Sequence, residues 1–222
     1  MVENKKPEKR PRGRPPVRCD DETRSLIIEA ANPHFQENGF ASANINLIAQ
    51  AASVSTKTLY RLFPTKADLF SSVVSDRIGQ FFLTLDETAL ARMEPRDGLV
   101  RLLTAYGNLA LAEYTIAIYK LVVAEADRFP EIANTFHTQA IARTNEALER
   151  WLVLQANLKR LKIEDATMAS GMLRGMMIME PQRAVLLRQR QPPTPEEIAT
   201  RAEICADLFL NGSRHRGDSA SS

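Results

Sequence analysis

Residues 45–63 read INLIAQAASVSTKTLYRLF, two apolar segments on either side of a short polar break. Apolar residues recur at helical spacing before and after Ser53-Val54-Ser55, which predicts two short helices joined by a tight turn. Ala49 is small at the point where the two helices would cross closely. The positions expected to form a shared core are Ile48, Ala52, Val54 and Leu59. This spacing is typical of a helix–turn–helix, although an ordinary small helical hairpin has the same periodicity.

Capping residues extend the helical pattern downstream. Asn44 precedes a helix over about 45–52, and Ser55 precedes a helix over 56–62, as N-cap residues do. After Pro64, Thr65 and Asp68 have the spacing of a capping box. We expect the fourth helix, which begins there, to run to about residue 92.

The rest of the sequence also has helical periodicity. A first helix begins at Asp21 and ends at the stop signal Asn38-Gly39, and Pro33 should kink it or end it a turn early. Later helices are predicted at about 96–112, 114–127, 130–158, 164–180 and 195–210, with Pro181 ending or kinking the stretch before it. The sequence contains no strand alternation, so we expect an all-α protein of nine or ten helices.

Composition excludes several classes of protein. The 222 residues are 44% hydrophobic and 25% charged, and the two cysteines, Cys19 and Cys205, are too few and too far apart for a disulfide scaffold or a zinc ribbon. The sequence lacks an apolar run of about 18–20 residues and a secretory signal, so we expect a cytoplasmic protein that does not enter a membrane. The three histidines, His34, His137 and His215, are scattered, and no catalytic or metal-binding motif is present. We therefore expect no enzyme, no cofactor and no metal.

Positive charge is concentrated at the start of the chain. Residues 1–20 carry seven basic and three acidic side chains, a net charge of +4, whereas 21–70 and 71–222 each carry −1. Residues 10–16 read RPRGRPP, which resembles an AT-hook. Prolines keep such a segment extended, and Arg12 and Arg14 are placed to enter an A·T-rich minor groove. A solubilising tail is the alternative interpretation of this basic arm.

The stretch from Leu26 to Phe70 resembles the TetR family of transcriptional regulators. The residues that carry the resemblance are Ala30-Ala31, Phe35, Gly39-Phe40, Ile48-Ala49, Ala52, Val54-Ser55, Thr58-Leu59-Tyr60-Arg61, Phe63, Lys66 and Asp68-Leu69-Phe70. The resemblance implies a helix–turn–helix DNA-binding domain over 21–68 and a helical-bundle domain for ligand binding and dimerisation over 69–211. Residues 1–20 and 212–222 would be a disordered arm and a flexible tail. Members of the family are typically homodimeric repressors that a small molecule releases from an operator.

The resemblance also implies roles for single residues. Thr58 and Tyr60 fall where family members bind phosphates, and Lys66 falls where a lysine supports the recognition helix or the DNA backbone. Asn44 and Ser55 are caps whose backbone donors can meet phosphates. We expect Thr56, Lys57 and Arg61 near base edges or adjacent phosphates. Ser53 replaces the usual turn glycine, so this residue should adopt a positive φ at some cost in strain.

Residues 119–131 resemble a subset of the family with AefR-like C-terminal domains, and weaker similarity extends to about residue 210. Methionines cluster over 168–179, where Gly171 and Gly175 would allow close helix approach. In the family the last two long helices form the dimer interface. The alternative interpretation is an ordinary helical core, which would have the same composition. The interface residues expected are Met168, Met172, Gly175, Met176 and Leu208.

A ligand cavity is expected between the fourth helix and the helices over 96–158. Its candidate lining residues are Phe81, Phe82, Leu103, Tyr106, Tyr114, Tyr119, Phe136 and Trp151. Two alternatives stay open: an architectural DNA-binding protein without an inducer, and a regulator whose C-terminal domain binds a protein. The sequence does not identify the operator or the ligand.

Overall fold

A computed structural model describes residues 18–211, and within this range the chain forms eleven α-helices and no strand. The all-α prediction is therefore confirmed. The helices are α1 (Asp20–Ser42), α2 (Ile45–Ala51), α3 (Thr56–Leu62), α4 (Lys66–Leu83), α5 (Glu87–Arg92), α6 (Pro95–Ala110), α7 (Glu113–Glu125), α8 (Pro130–Phe136), α9 (Arg143–Asn157), α10 (Ala166–Leu186) and α11 (Pro195–Asn211). A π-helical segment, His137–Ala142, joins α8 to α9.

Helices α1, α2 and α3 pack together with the start of α4 to form the head of the molecule. Buried side chains from all four helices meet in its core: Ile27, Phe35, Ile48, Leu59 and Phe70 are each fully buried. Helices of seven residues such as α2 and α3 are marginal in isolation, so their stability comes from this burial. The remaining helices form a second bundle, in which α6 packs most extensively on α11, and α9 on α10.

The capping predictions for the head are confirmed. The side chains of Asn44 and Ser55 accept hydrogen bonds from backbone amides of the helices that they precede. Thr65 and Asp68 form a reciprocal capping box at the start of α4. Ser53 has a φ of 55°, the positive value expected from the missing turn glycine.

The two helix-interior prolines were predicted to kink or end their helices, and neither helix ends at its proline. Helix α1 continues through Pro33, and its non-helical dihedral angles occur at Gly39, with φ 75° and ψ 173°. Pro33 and Glu29 are both exposed, so the Glu29 carbonyl, which Pro33 cannot bond, lies on the side that faces solvent. Helix α10 likewise continues through Pro181, whose missing N–H would have bonded the Met177 carbonyl.

Two predicted helices are divided in the structure. The fourth helix ends at Leu83, where the Thr84 hydroxyl bonds the Phe81 carbonyl at 2.7 Å, and Asp86 caps the separate helix α5. The predicted helix over 130–158 is interrupted by the π-helical segment, whose register places the Thr144 hydroxyl 2.8 Å from the Ala140 carbonyl. Among residues 18–211, none of the helices combines the length and the apolar character that a membrane span requires.

Gly107 marks the closest approach of α6 to its neighbours, and alanine there should destabilise the fold. An added Cβ atom would lie 2.5 Å from Cε of Met177 and 2.7 Å from Cγ2 of Ile198, both of which are buried. Overpacking costs roughly 1–3 kcal/mol, and alanine gains at most about 1 kcal/mol over glycine in a helix. We expect Gly107→Ala to lower the free energy of unfolding by about 1–2 kcal/mol in urea titrations at fixed protein concentration.

Gly79 of α4 provides the matched control. A Cβ atom added there meets nothing within 4 Å, so only the helix-propensity gain remains. Gly79→Ala should therefore raise the free energy of unfolding by about 0.5–1 kcal/mol. If the free energy of unfolding changed with the same sign in both variants, the conclusion that α6 packs too closely at Gly107 for a Cβ atom would be wrong.

Candidate nucleic-acid interface and ligand cavity

The turn between α2 and α3 is fixed by hydrogen bonds of short polar side chains. Ser55 Oγ accepts from the Thr58 amide at 3.0 Å and lies 2.8 Å from the Thr58 hydroxyl. The Thr56 hydroxyl donates to Asn46 Oδ1 of α2 at 3.0 Å. Asn46 was not predicted from the sequence, because its link to Thr56 depends on how the two helices cross. These bonds hold the first turns of α2 and α3 together on the surface of the head.

Helix α3 has one buried and one exposed face. Leu59 and Leu62 are buried, whereas Lys57, Tyr60 and Arg61 are exposed, and Tyr60 keeps 48% of its surface accessible. Positions separated by three and four residues share a helix face, so these three side chains project together. The exposed face of α3 therefore carries two cations and a phenol above an apolar base.

Arg61 is held by the first residue of α1. Its two terminal guanidinium nitrogens donate to the two carboxylate oxygens of Asp20, each at 2.7 Å. This bidentate hydrogen bonding with Arg61 lowers the pKa of Asp20 below its ordinary value. Both side chains are more than half exposed, so the pair is open to competition from another anion.

Lys66 and Arg24 make contacts within the head. The Lys66 ammonium donates to the carbonyls of Ala41, at 2.8 Å, and Ala43, at 3.3 Å, and lies 5.1 Å from the centre of the Phe40 ring. Desolvation lowers the pKa of Lys66, and Glu125 opposes this shift. This ammonium therefore joins α4 to the end of α1, and its contact with DNA stays a prediction.

Arg24 was missed by the sequence reasoning. It donates to the Leu62 carbonyl at 3.0 Å and lies over the Phe63 ring, at 5.3 Å from the centroid. Arg24 of α1 therefore fixes the end of α3. Arg12 and Arg14, predicted for the minor groove, lie outside the described residues.

The second bundle encloses a cavity of about 260 Å³. Of the residues predicted to line it, Tyr106, Tyr114, Tyr119 and Phe136 do so. The lining comes from α4, α6, α7, α8, α9, α10 and the π-helical segment, and Asn32 of α1 also reaches it. The cavity is therefore in contact with a helix of the head.

The other four predicted residues do not line this cavity. Leu103 is fully buried in the core, and Trp151 packs on Gly98 with its indole N–H 3.4 Å from the Leu90 carbonyl. Phe81 lies in a neighbouring surface depression, and the Phe82 ring is covered by the Arg143 guanidinium at 5.2 Å. Large aromatic residues fill space between helices as readily as they line a cavity, and composition does not separate the two roles.

Polar side chains were the part of the cavity that sequence reasoning missed. Arg77 of α4, Thr115 of α7, and Arg174 and Gln182 of α10 all line it. The Arg77 guanidinium lies over the Tyr114 ring at 4.5 Å, and the buried Thr115 hydroxyl has no hydrogen-bond partner. Charged residues on amphipathic helices are usually solvated, so nothing in the sequence distinguished these arginines from surface cations.

Helices α10 and α11 leave large apolar side chains exposed. Met168 and Met172 are 59% and 60% exposed, and Leu208 is 50% exposed. A Cβ atom on Gly175 would meet nothing within 4 Å, which leaves open space beside the helix. Met176 is only half-buried, whereas its neighbour Met177 is fully buried in the core. The predicted interface residues therefore lie on the outer side of the bundle.

Two protein-family models match the chain. Residues 27–73 match the model for bacterial regulatory proteins of the tetR family, and residues 97–212 match the C-terminal domain of AefR-like transcriptional repressors. The second match alone covers more than half of the chain. The resemblances drawn from residues 26–70 and 119–131 are thereby confirmed.

Curated relatives are similar over part of their length. The chain is 27% identical over 92 residues to the fatty acid metabolism regulator protein of Bacillus subtilis, covering 41% of this chain and 47% of that protein. It is 28% identical over 135 residues to the HTH-type transcriptional regulator UidR of Escherichia coli, covering 58% and 64%. The chain thus spans between about half and just under two thirds of the length of these relatives.

Solved structures share the fold over most of the described chain. A protein described as a TetR-family transcriptional regulator from Mesorhizobium loti superposes with a TM-score of 0.77 at 22% identity, covering 87% of this chain and 98% of that one. The flavonoid-responsive regulator FrrA gives 0.68 at 24% identity, covering 86% and 96%. The regulator FadR of Bacillus subtilis, in complex with stearoyl-CoA, gives 0.67 at 18%, covering 86% and 99%.

Proposed function

Because the chain belongs to the TetR family of bacterial regulatory proteins, we propose that it is a sequence-specific DNA-binding transcriptional regulator. It acts as a homodimeric repressor that a small molecule releases from its operator. The observation that carries this proposal is the exposed face of α3, on which Lys57, Tyr60 and Arg61 project above a buried apolar base. A helix of this width fits the major groove, and cationic side chains on it can address phosphates or guanine edges.

The proposed contacts follow from the positions of the side chains on the head. Lys57 and Arg61 reach base edges or adjacent phosphates from the exposed face of α3, and Tyr60 bonds a phosphate through its phenol. Thr56 and Thr58 lie at the start of the same helix, where their hydroxyls meet the DNA backbone. The basic arm, through Arg12 and Arg14, reaches the flanking minor groove.

Dimerisation through α10 and α11 supports the proposal because a palindromic operator requires two heads at a fixed spacing. Exposed apolar side chains gathered on two neighbouring helices mark an interaction surface. A second copy of the same surface, packed as a four-helix bundle, buries Met168, Met172 and Leu208.

The effector binds in the cavity and acts through the helices that the cavity shares with the head. Asn32 belongs to α1, and Val73 and Arg77 belong to α4, whose first residue joins it to the end of α1. A ligand that favours one arrangement of these helices changes the spacing of the two heads, as a shift between two populations.

The experiment that tests the proposal is a genome-wide map of the DNA that the protein protects. We expect discrete sites with two half-sites related by a dyad, each covered by one head. Protection spread along A·T-rich DNA without a dyad would favour the architectural alternative. Release of the protected sites by a purified protein, but by no small molecule, would favour a protein-controlled regulator.

Asp20 should weaken DNA binding because its carboxylate is paired with the Arg61 guanidinium. Asp20→Asn frees the guanidinium to neutralise a phosphate and removes an anion from the DNA-facing side. We expect several-fold tighter binding to a mapped site; the salt slope of log K steepens by at most about one, through the lost carboxylate charge, because Arg61 meets the DNA in both proteins. Fluorescence anisotropy with a labelled duplex measures the affinity and its salt slope over about 50 to 200 mM salt, a range in which such slopes are resolved.

Asp207 offers a matched control in the second bundle. It forms a similarly exposed bidentate pair with Arg96, at 2.7 and 2.9 Å, away from α3. Because Asp207 lies on α11, sedimentation velocity first checks that the dimer is intact; Asp207→Asn should then leave both DNA affinity and salt slope unchanged. The role assigned to Asp20 fails if the two variants behave alike.

Met172→Glu should separate the dimer. It places a carboxylate in each half of the proposed interface, where an unpaired buried charge costs about 3 kcal/mol or more, or roughly a hundredfold in the dissociation constant. Sedimentation velocity should show monomer at micromolar protein, and binding to the two-half-site operator should fall with it.

Leu83 of α4 is the control, since it is 88% exposed and lies on neither α10 nor α11. Leu83→Glu should leave the dimer intact. A dimer that survives Met172→Glu, or one that Leu83→Glu disrupts equally, would place the interface elsewhere.

A further inference from the structure

The charged residues that the structure places in the cavity lining are all positive. Most of its surface is apolar, contributed by residues such as Val73, Ile78, Ile118 and Phe136. The charged side chains in the lining are Arg77 and Arg174, and no Asp or Glu is among the lining residues that the structure describes. Two half-buried cations beside a mostly apolar cavity, with no anion in its described lining, favour a ligand of negative charge.

Neither arginine has a carboxylate partner within the described range 18–211. Arg174 donates to the Ser170 hydroxyl, at 3.4 Å from its Nε, and is hydrogen-bonded to the Tyr106 phenol, and Arg77 donates to the Gln80 amide oxygen at 3.3 Å. A guanidinium carries five donors, so most of the donors of both residues stay available. Arg77 also stacks on the Tyr114 ring.

Further polar groups of the cavity, like its two arginines, favour a ligand with an anionic group. The Thr115 hydroxyl is buried without a partner and lines the cavity. Desolvation raises the pKa of Tyr106, and Arg174 opposes this shift, which places the guanidinium beside the phenol. A carboxylate accepts hydrogen bonds from all these groups, whereas an ammonium ion would be repelled by the guanidinium groups.

Volume limits the size of the ligand. A cavity of about 260 Å³ lies below the range of about 300–1,000 Å³ that holds drug-sized molecules. The apolar walls would bury a short aliphatic or single aromatic body, and the polar groups would receive one charged end.

We propose that the cavity binds a compact apolar monoanion, a small carboxylic acid in its ionised form, with Arg174 as the principal partner of the carboxylate. Arg77, on α4, adds a second positive charge to the lining. This proposal rests on the regulator function proposed above and names the chemical class of its effector. Because Arg77 belongs to α4, the bound anion acts directly on the helix that leads to the head.

The test uses three probes that share one apolar body. Octanoate, octan-1-ol and octylamine are titrated into the full-length protein and followed by calorimetry. We expect octanoate to bind at least tenfold more tightly than octan-1-ol, and octylamine to bind more weakly than either. Equal affinity for octanoate and octan-1-ol, preference for octylamine, or no binding of octanoate at millimolar concentration would overturn the proposal.

Variants locate the anion within the cavity. Arg174→Gln should weaken octanoate at least tenfold and leave octan-1-ol unchanged, and Arg77→Gln should have a smaller effect in the same direction. Arg143→Gln is the control, because its guanidinium covers Phe82 and does not line the cavity. Thermal unfolding without ligand checks that each variant is folded. An octanoate affinity that neither Arg174→Gln nor Arg77→Gln changes would refute the assignment.

Binding and regulation are measured separately. Octanoate binding that shows the expected arginine dependence supports the ligand class even if operator affinity is unchanged, and the effector step of the proposed function then fails. Operator release by octan-1-ol alone, with octanoate inactive, supports an inducible regulator and overturns the anionic ligand.

Discussion

A cluster of four phenylalanine rings holds the head against the second bundle, and the relative placement of the two depends on it. Phe35 and Phe40 of α1 contact Phe70 of α4, with ring centroids 5.5 and 5.7 Å from it, and Phe40 also meets Phe129, which precedes α8, at 5.1 Å. Phe40 reaches this position because Gly39, with its positive φ, turns the chain at the end of α1. Any other residue would adopt that conformation at a cost in strain.

The contacts at this junction connect the cavity, through α1 and α4, to the head that contains α3. Lys66 bonds the carbonyls at the end of α1 and begins α4, and the same two helices supply Asn32 and Arg77 to the cavity lining. Interiors packed at crystal-like density do not deform continuously, so a displaced α4 must move its contacts with α1 as a unit. The coupling between ligand and DNA would then be the difference in free energy between two such packings.

The sequence was most informative where local chemistry decides the structure. Asn44, Ser55 and the Thr65–Asp68 pair cap helices through bonds within three residues, and the positive φ of Ser53 follows from the geometry of one turn. It was least informative where a residue's role depends on distant partners. Trp151 fills the core rather than the cavity because its neighbours Leu90 and Gly98 are far away in the sequence. The cavity arginines were missed for the same reason, since only the folded chain separates them from solvated cations.

Charge at the start of α1 connects the two parts of the chain assigned to DNA. Asp20 is the last residue of the basic arm of residues 1–20 and the first residue of α1, and it holds Arg61 of α3 at 2.7 Å. An exposed ion pair is worth little in free energy, so a phosphate can displace the carboxylate at small cost. Exchange of Asp20 for phosphate would free a carboxylate beside the arm and engage the recognition helix in the same step. The arm and α3 would therefore not bind DNA independently, because Asp20, the carboxylate that Arg61 of α3 releases, lies at the end of the arm.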